Sequence, residues 1–157
     1  MAEAAAMLED LSVGQIFLTG EAVLRQDEIA AFAAAFDPQP MHLDPRSARS
    51  TIFGGLVASG WHVAAVTMRL MVEARPLGAT PIIGAEVQRL RFRRPVPPDT
   101  RLRCRARIEA LEPATKPGQG YCTLAVDTLD AGTGAVLVAQ TWKLLVPSRT
   151  ASAPAAA

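Results

Sequence analysis

The segment Gly60–Ala74 constrains the fold more than any other part of the chain, because it has the pattern of a long helix with almost no polar face. Ser59 is a residue type that caps helix N-termini, and residues 61–72 are apolar on nearly every side of a helix. A helix of this kind must be covered by other parts of the protein. The sequence therefore predicts a long buried helix that the remaining chain surrounds.

Four runs of β-forming residues follow this helix and can supply the cover. They span residues 82–94, 100–112, 120–130 and 135–146, and proline, glycine and aspartate separate them. Short connections between consecutive strands favour an antiparallel meander. The predicted fold class is α+β, with a curved antiparallel sheet wrapped around a long central helix.

The second of these runs indicates which face of the sheet meets the helix. Its side chains alternate with a period of two, with Leu102, Cys104, Ala106 and Ile108 on one face and Arg101, Arg103, Arg105 and Arg107 on the other. We expect the apolar face to pack on the helix. The arginine face is expected to be solvated or to lie at an interface, and phosphate recognition is the alternative.

The chain before the long helix contains a strand and a shorter helix. Residues 14–24 are compatible with a strand but include Gly20, which predicts a bent or edge strand. Asp27 is expected to cap a helix with apolar residues at helical spacing, and Pro38 ends that helix. Residues 1–11 are alanine-rich and are interpreted as a frayed helical turn without a function.

Length and charge exclude several classes of protein. A chain of 157 residues can bury a core without disulfides or metals. We expect a single domain over residues 1–147 and a disordered C-terminal tail over 148–157, which has too little apolar content to order itself. The formal net charge of +1 argues against general attraction to nucleic acid or to a membrane. Residues 86–107 nevertheless carry eight arginines and two carboxylates, a basic segment that can meet phosphate.

The cysteines and the N-terminus bear on cofactors and location. Cys104 and Cys122 lie in separate strand-like runs and form no metal-binding motif. No apolar run reaches the ~20 residues of a transmembrane helix, and the N-terminus lacks a secretory signal pattern. We therefore expect a cytoplasmic protein with reduced cysteines and without a bound metal.

The stretch from Asp37 to Asp44 contains the best candidates for catalysis. Asp37 follows a predicted helix, where a carboxylate is unfavourable, and His42 comes five residues later, with Pro38 and Pro40 stiffening the connection. The helix end and partial burial are both expected to raise the pKa of Asp37 toward the value that proton transfer needs. Two titratable groups on one water molecule suit the addition of water across a polarised double bond.

Each of these residues has a simpler explanation when it is considered alone. An aspartate before proline is a common turn residue, and a single histidine in a loop often serves only as a hydrogen-bond partner. Asp44 is better explained as the N-cap of a short helix from Pro45 to about residue 50. His62, inside the long helix, is interpreted as a core or interface histidine.

The start of the long helix is a candidate for stabilising negative charge. The first N–H groups of a helix have no intrahelical partner, and glycine at position 60 lets a carbonyl oxygen approach the backbone. The Gly60 N–H can therefore hold a developing enolate oxygen, assisted by the helix dipole. The alternative is that Ser59 is an ordinary N-cap and that Gly60 is needed only for packing.

Together these residues resemble a known family, the MaoC-like dehydratases and R-specific enoyl-CoA hydratases, which have the hotdog fold. The family's Asp-x-x-Pro-x-His segment is present as Asp37-Pro-Gln-Pro-Met-His42, and Ala48 is the small residue expected six positions later. Residues 53–61, Phe-Gly-Gly-Leu-Val-Ala-Ser-Gly-Trp, match the family's turn into the central helix. The resemblance extends over residues 29–146, which is most of the chain.

The resemblance implies a site and a reaction. Asp37 and His42 would form a dyad that activates water, and the Gly60 N–H would bind the thioester oxygen. Substrate contacts are expected from Gln39, Phe53, Gly55, Ser59 and Trp61. The implied reaction is the reversible addition of water to a trans-2-enoyl-CoA, giving an R-3-hydroxyacyl-CoA, with coenzyme A as part of the substrate and no separate cofactor. A homodimer or higher homo-oligomer, joined edge to edge between sheets, is also implied and would cover the strand edges.

Two departures from the family pattern concern the substrate. Gln39 stands where an asparagine is common, and Phe36 stands where a glycine usually precedes the catalytic aspartate. A substrate-side serine near the end of the helix in some members falls at about Thr67 or Met68. A hotdog acyl-CoA thioesterase is one alternative, and a non-catalytic acyl-thioester binding or partner subunit is another. The proline-framed dyad favours the hydratase over both.

Overall fold

The computed structural model describes residues 4–150, which form one five-stranded sheet with helices on one face. The strands are β1 (Ile16–Val23), β2 (Ile83–Phe92), β3 (Arg101–Pro113), β4 (Gln119–Asp130) and β5 (Val136–Pro147). The helices are α1 (Gln26–Phe36), α2 (Pro40–Leu43), α3 (Pro45–Ala48) and α4 (Gly60–Ala74). A short 3-10 turn, Leu8–Asp10, lies where the sequence predicted a frayed helical turn. The predicted α+β class and the bounds of the long helix agree with this structure.

The strand order is β1-β3-β4-β5-β2, and all neighbouring strands are antiparallel. The predicted meander is present from β3 to β5, but it is wrong for β2, which pairs with β5 and forms the far edge of the sheet. The connection over residues 93–100 can extend ~26 Å, whereas three strand spacings are only ~14 Å. This connection is therefore long enough to carry the chain past β5 and β4 to β3.

The first strand confirms the prediction of a bent edge strand. β1 pairs only with β3, and its register shifts between Leu18 and Glu21, where Gly20 lies. The following helix begins two residues earlier than predicted, because Arg25 and not Asp27 occupies the N-cap position, and Asp27 lies in the first turn. The backbone N–H of Arg25 donates to the Glu28 carboxylate at 3.0 Å, which satisfies the helix start without Asp27.

The core lies between one face of the sheet and one face of α4. The four apolar residues of β3 are completely buried, and its four arginines form the opposite face, as the period-two pattern predicted. α4 buries Val63, Leu70 and Met71 against β1, β3 and β5. The prediction that this helix is surrounded is wrong, because Trp61 and Val72 on its outer side are 59% and 53% exposed. A single sheet covers only one side of a helix.

A pair of buried hydroxyl groups joins α4 to the sheet. Thr67 Oγ1 donates to the backbone carbonyl of Val63 at 2.8 Å and lies 2.6 Å from Thr128 Oγ1 on β4. Both threonines are fully buried, so Thr67 faces the sheet and is not a substrate-side residue. Cys104 and Cys122 are buried and free, and burial raises the pKa of each thiol to about 11.

The two ends of the described chain are joined to each other. Ser148 is buried and donates a hydrogen bond to Glu9, and Arg149 forms an ion pair with Asp10. Residues 148–150 therefore pack on the domain, and the rest of the predicted tail, 151–157, lies outside the described residues. Across residues 4–150, no helix combines the length and apolar character required to cross a membrane.

Candidate functional site

The candidate dyad is positioned by the end of α1 and by α2. Asp37 is the C-cap of α1, and its backbone N–H donates to the Ala33 carbonyl at 2.9 Å. Pro38 then ends the helix, and Pro40 begins the single turn of α2, which carries His42. The connection is therefore a helical turn and not the hairpin-like loop that the two prolines suggested.

The Asp37 carboxylate is held by two hydrogen bonds from other side chains. Ser59 Oγ donates to its Oδ2 at 2.6 Å, and Gln39 Nε2 donates to its Oδ1 at 2.6 Å. Ser59 occupies the N-cap position of α4, but its side chain makes no capping bond, contrary to the prediction. Its hydroxyl instead joins the start of α4 to the end of α1.

These hydrogen bonds set the protonation state of Asp37. They lower its pKa below the ordinary value, Ser59 having the largest effect and Gln39 the next, while desolvation opposes them. Burial does raise the pKa of Asp37 as expected, but the hydrogen bonds outweigh it, so the predicted net increase is wrong. Donors to the charged form of a carboxylate favour that form, so Asp37 is ionised at neutral pH.

His42 is buried, and a hydrogen bond from its imidazole to a backbone carbonyl group fixes the orientation of the ring. Its Nδ1 lies 2.7 Å from the backbone oxygen of Val57, which only accepts, so Nδ1 carries the hydrogen. In the neutral ring Nε2 is then an acceptor. It lies 3.5 Å from Asp37 Oδ2, and two acceptors at this separation can both bind the hydrogens of one water molecule.

The dyad opens into a cavity of about 450 Å³ with mainly apolar walls. Six of the predicted site residues line it: Asp37, His42, Gly60, Gln39, Phe53 and Trp61. Gly55 and Ser59 are not part of the lining, and Ser59 contributes only through its hydrogen bond to Asp37. The last residue of β2, Phe92, and the two residues that follow it, Arg93 and Arg94, also line the cavity, which the sequence did not predict. They come near the dyad only because β2 pairs with β5, and no local pattern predicts that pairing.

The structure at Gly60 is compatible with both predicted roles, a free backbone N–H and a glycine that allows close packing. Its backbone N–H makes no hydrogen bond to any other part of the described chain and lies in the cavity wall. The Phe92 ring packs directly on the glycine, and a Cβ at this position would be 2.5 Å from Phe92 Cδ1. Phe92 in turn contacts Trp61 edge to face, with ring centroids 5.7 Å apart. Gly60 therefore allows the Phe92 ring to pack closely on the start of α4, and its N–H has no partner within residues 4–150.

The remaining candidates have structural roles. His62 is buried and stacks on Phe32 of α1, with ring centroids 4.6 Å apart and an angle of 4° between the rings, which confirms a core histidine. Asp44 caps α3 by accepting from the Ser47 backbone N–H at 2.9 Å, as predicted. Within residues 4–150, no group of three potential metal ligands lies together.

The chain is similar in sequence to known proteins. Residues 11–128 match the protein family described as the MaoC like domain. The uncharacterized protein YdeM of Bacillus subtilis (strain 168) is 37% identical over 95 residues, which are 60% of this chain and 67% of that protein.

Solved structures share the arrangement of the sheet and the helix. The MaoC-like dehydratase from Rhodospirillum rubrum has a TM-score of 0.85 and 41% identity, covering 91% of this chain and 97% of that chain. The (R)-hydratase from A. caviae involved in PHA biosynthesis has a TM-score of 0.72 and 28% identity, covering 88% and 99%. R-hydratase PhaJ1 from Pseudomonas aeruginosa, at 23% identity, has the same fold with a TM-score of 0.74, covering 98% and 93%. These similarities confirm the hotdog fold.

Proposed function

Because this chain belongs to the MaoC-like domain family, we propose that it is an enoyl-thioester hydratase, or in the reverse direction a 3-hydroxyacyl-thioester dehydratase. The observation that carries this proposal is the pair of acceptors, Asp37 Oδ2 and His42 Nε2, at the wall of an apolar cavity. The proposed substrate is a trans-2-enoyl-CoA, which water converts to an R-3-hydroxyacyl-CoA, and no separate cofactor takes part.

The proposed mechanism follows from the protonation states. A water molecule donates one hydrogen to Asp37 and the other to His42, and its oxygen attacks C3 of the enoyl group. Asp37 is a weak base because its pKa is lowered, so His42 Nε2 accepts the proton and the carboxylate stabilises the resulting imidazolium. The electrons move to the thioester oxygen, which accepts a hydrogen bond from the Gly60 N–H. His42 then returns the proton to C2, and the overall change is the addition of one water.

Turnover of crotonyl-CoA tests this proposal. Hydration removes the conjugated double bond, so the enoyl absorbance should fall when the protein is added. Asp37→Asn and His42→Ala should each reduce kcat by about 100-fold or more, because each removes a group that acts on the water. Asp44→Asn is the matched control, since it changes a nearby carboxylate that only caps α3, and it should retain activity.

The outcomes separate the hydratase from its rivals. Full activity in both Asp37→Asn and His42→Ala would show that the dyad is not catalytic. Release of free thiol from crotonyl-CoA before any water has been added to the double bond would indicate a thioesterase. Ligand-induced stabilisation without turnover, across a panel of enoyl and 3-hydroxyacyl thioesters, would indicate a non-catalytic subunit.

We also propose that the protein forms a homodimer through the free edge of β2. This strand pairs with β5 on one side only, and its Val87 and Phe92 are 56% and 50% exposed. Both lie opposite buried residues of β5, Trp142 and Val138, so they are on the sheet face that carries α4. The exposed side of α4 continues this apolar surface through Trp61. A second copy that pairs with β2 would cover the unpaired strand edge and this surface together.

A further inference from the structure

The eight arginines of the basic segment fall into distinct groups in the structure. The four on β3 are all paired with carboxylates outside the cavity: Arg101 and Arg103 with Glu21, Arg105 with Asp127, and Arg107 with Glu109. Arg89 and Arg91 lie on the exposed β2 strand and do not line the cavity. Arg93 and Arg94 do line it. In the described part of the chain, neither of these two guanidinium groups has a carboxylate within ion-pair distance.

The backbone explains how two consecutive residues reach the same cavity. Side chains of neighbouring residues in a regular strand point to opposite faces. The N–H groups of Arg93 and Arg94 instead donate to the same acceptor, the Leu137 carbonyl, at 2.8 and 3.2 Å. In a β-bulge, two residues of one strand lie opposite a single residue of the partner strand, and this arrangement redirects side chains. Arg93 and Arg94 are therefore both directed to the cavity by the local backbone.

The position of Arg93 and Arg94 suits a ligand that has its apolar part inside the cavity and an anionic group at the rim. Both arginines are exposed, so they lie at the rim of the cavity, and its remaining walls are mainly apolar. The carboxylate in the lining, Asp37, is already bound by Ser59 and Gln39 and forms no ion pair with either arginine. Arg93 and Arg94 thus make the rim cationic while the interior accepts an acyl chain.

We propose that Arg93 and Arg94 bind a phosphate group of the carrier that delivers the acyl thioester. This inference rests on the proposed function, because a thioester in the cavity requires a carrier that extends outward past the rim. Guanidinium groups bind phosphate by charge-assisted and often bidentate hydrogen bonds, and two adjacent groups suit a dianion. The phosphate can belong to the pantetheine 4′-phosphate shared by coenzyme A and carrier proteins, or to the nucleotide of coenzyme A alone.

Calorimetric binding of three free ligands tests the site without requiring turnover. The ligands are coenzyme A, pantetheine 4′-phosphate and pantetheine, and the proteins are the wild type, Arg93→Gln/Arg94→Gln and Arg105→Gln/Arg107→Gln. The first double variant should weaken coenzyme A binding by about tenfold and remove much of its salt dependence, because it removes charge at the rim. The second has the same change in net charge outside the cavity and should bind as the wild type does.

The pattern across ligands identifies the phosphate. If the Arg93/Arg94 variant loses affinity for coenzyme A and for pantetheine 4′-phosphate, the 4′-phosphate is bound. If it loses affinity for coenzyme A only, a nucleotide phosphate is bound. Unchanged binding of coenzyme A would overturn the proposal, as would an equal loss for pantetheine or an equal loss in the Arg105/Arg107 variant.

Steady-state kinetics distinguish this proposal from the proposed function. With crotonyl-CoA, the Arg93/Arg94 variant should show a KM about tenfold higher and a kcat close to that of the wild type. With the N-acetylcysteamine thioester, which lacks phosphate, its KM should not change. If the wild type hydrates neither thioester, the proposed function fails, and the calorimetric result on the arginines still decides whether the rim binds phosphate.

Discussion

The Asp37 carboxylate shows how strongly the chemistry of one residue depends on its hydrogen-bond donors. A carboxylate at a helix C-terminus is disfavoured by ~0.3–1 kcal/mol, and partial burial acts in the same direction. The hydrogen bonds from Ser59 and Gln39 outweigh both effects and lower the pKa. The sequence predicted the Asp37 and His42 pair because their spacing is local. It could not predict the Ser59 bond, because that residue is 22 positions away and reaches Asp37 only through tertiary packing.

Substitution of Ser59 tests the role of its hydroxyl group. Ser59→Ala removes the donor with the largest effect, so the pKa of Asp37 should rise toward the ordinary value for aspartate. The acid limb of the kcat/KM profile should move to higher pH with it. At neutral pH we expect kcat/KM to fall by about tenfold, since the carboxylate loses a bond that orients it. The pKa is measured directly by an NMR titration of the Asp37 carboxyl carbon.

The same substitution has a defined effect on stability. The native pKa of Asp37 is below its unfolded value, so its stabilisation is fully present above about pH 4 and is lost as the pH falls through the native pKa. The difference in unfolding free energy between wild type and Ser59→Ala should therefore shrink in acid. Ser50→Ala, a change in an exposed serine, is the control. An Asp37 pKa that does not change in Ser59→Ala would contradict the role given to this hydroxyl.

The long helix α4 connects the core to the site. Its apolar pattern predicted its bounds correctly, because a long run of helix-compatible residues between Ser59 and Pro76 leaves little choice. Its exposed side was not predicted, since the sequence of one helix does not reveal how many layers pack against it. The buried hydroxyls of Thr67 and Thr128 fix its position over β4, and the stack of His62 on Phe32 holds α1 against it.

A double-mutant cycle measures the link between α4 and the sheet. Thr67→Val leaves the Thr128 hydroxyl buried without this partner, and the free energy of unfolding should fall by about 1–2 kcal/mol. Thr67→Val/Thr128→Val should cost less than the sum of the single changes, because neither hydroxyl then remains unpaired. Urea denaturation provides the values. Thr123→Val, on the opposite face of β4, should have a smaller effect, and strict additivity would show that the two hydroxyls are not coupled.

The order of the strands in the sheet decides which surfaces of the protein are exposed. The sequence predicted all five strands to within about two residues, because alternating apolar residues and turn residues are local signals. It did not predict that β2 pairs with β5, because strand pairing depends on long-range contacts. The place of Phe92, Arg93 and Arg94 in the cavity wall was not predicted for the same reason.

A charge placed on the exposed apolar surface of β2 tests the proposed dimer. The wild type should sediment as a dimer at micromolar concentration, and Val87→Glu should sediment as a monomer, because the change would bury an unpaired carboxylate at the interface. Gln88→Glu is the control: it adds the same charge to the neighbouring residue, which points to the other face of the sheet. A monomeric wild type, or a Val87→Glu variant that remains dimeric, would rule out this interface.

The pairing of β2 with β5 also has a consequence for the order of events during synthesis. A chain emerging from the ribosome contains α1, α2 and α4 well before the last strand, and domains generally fold as units once their sequence is available. Phe92, which packs on Gly60, lies opposite Val138, so its strand has no hydrogen-bonding neighbour until the C-terminal part has been translated. In a nascent chain truncated before β5, the cavity should therefore not be formed, although both dyad residues have already been translated.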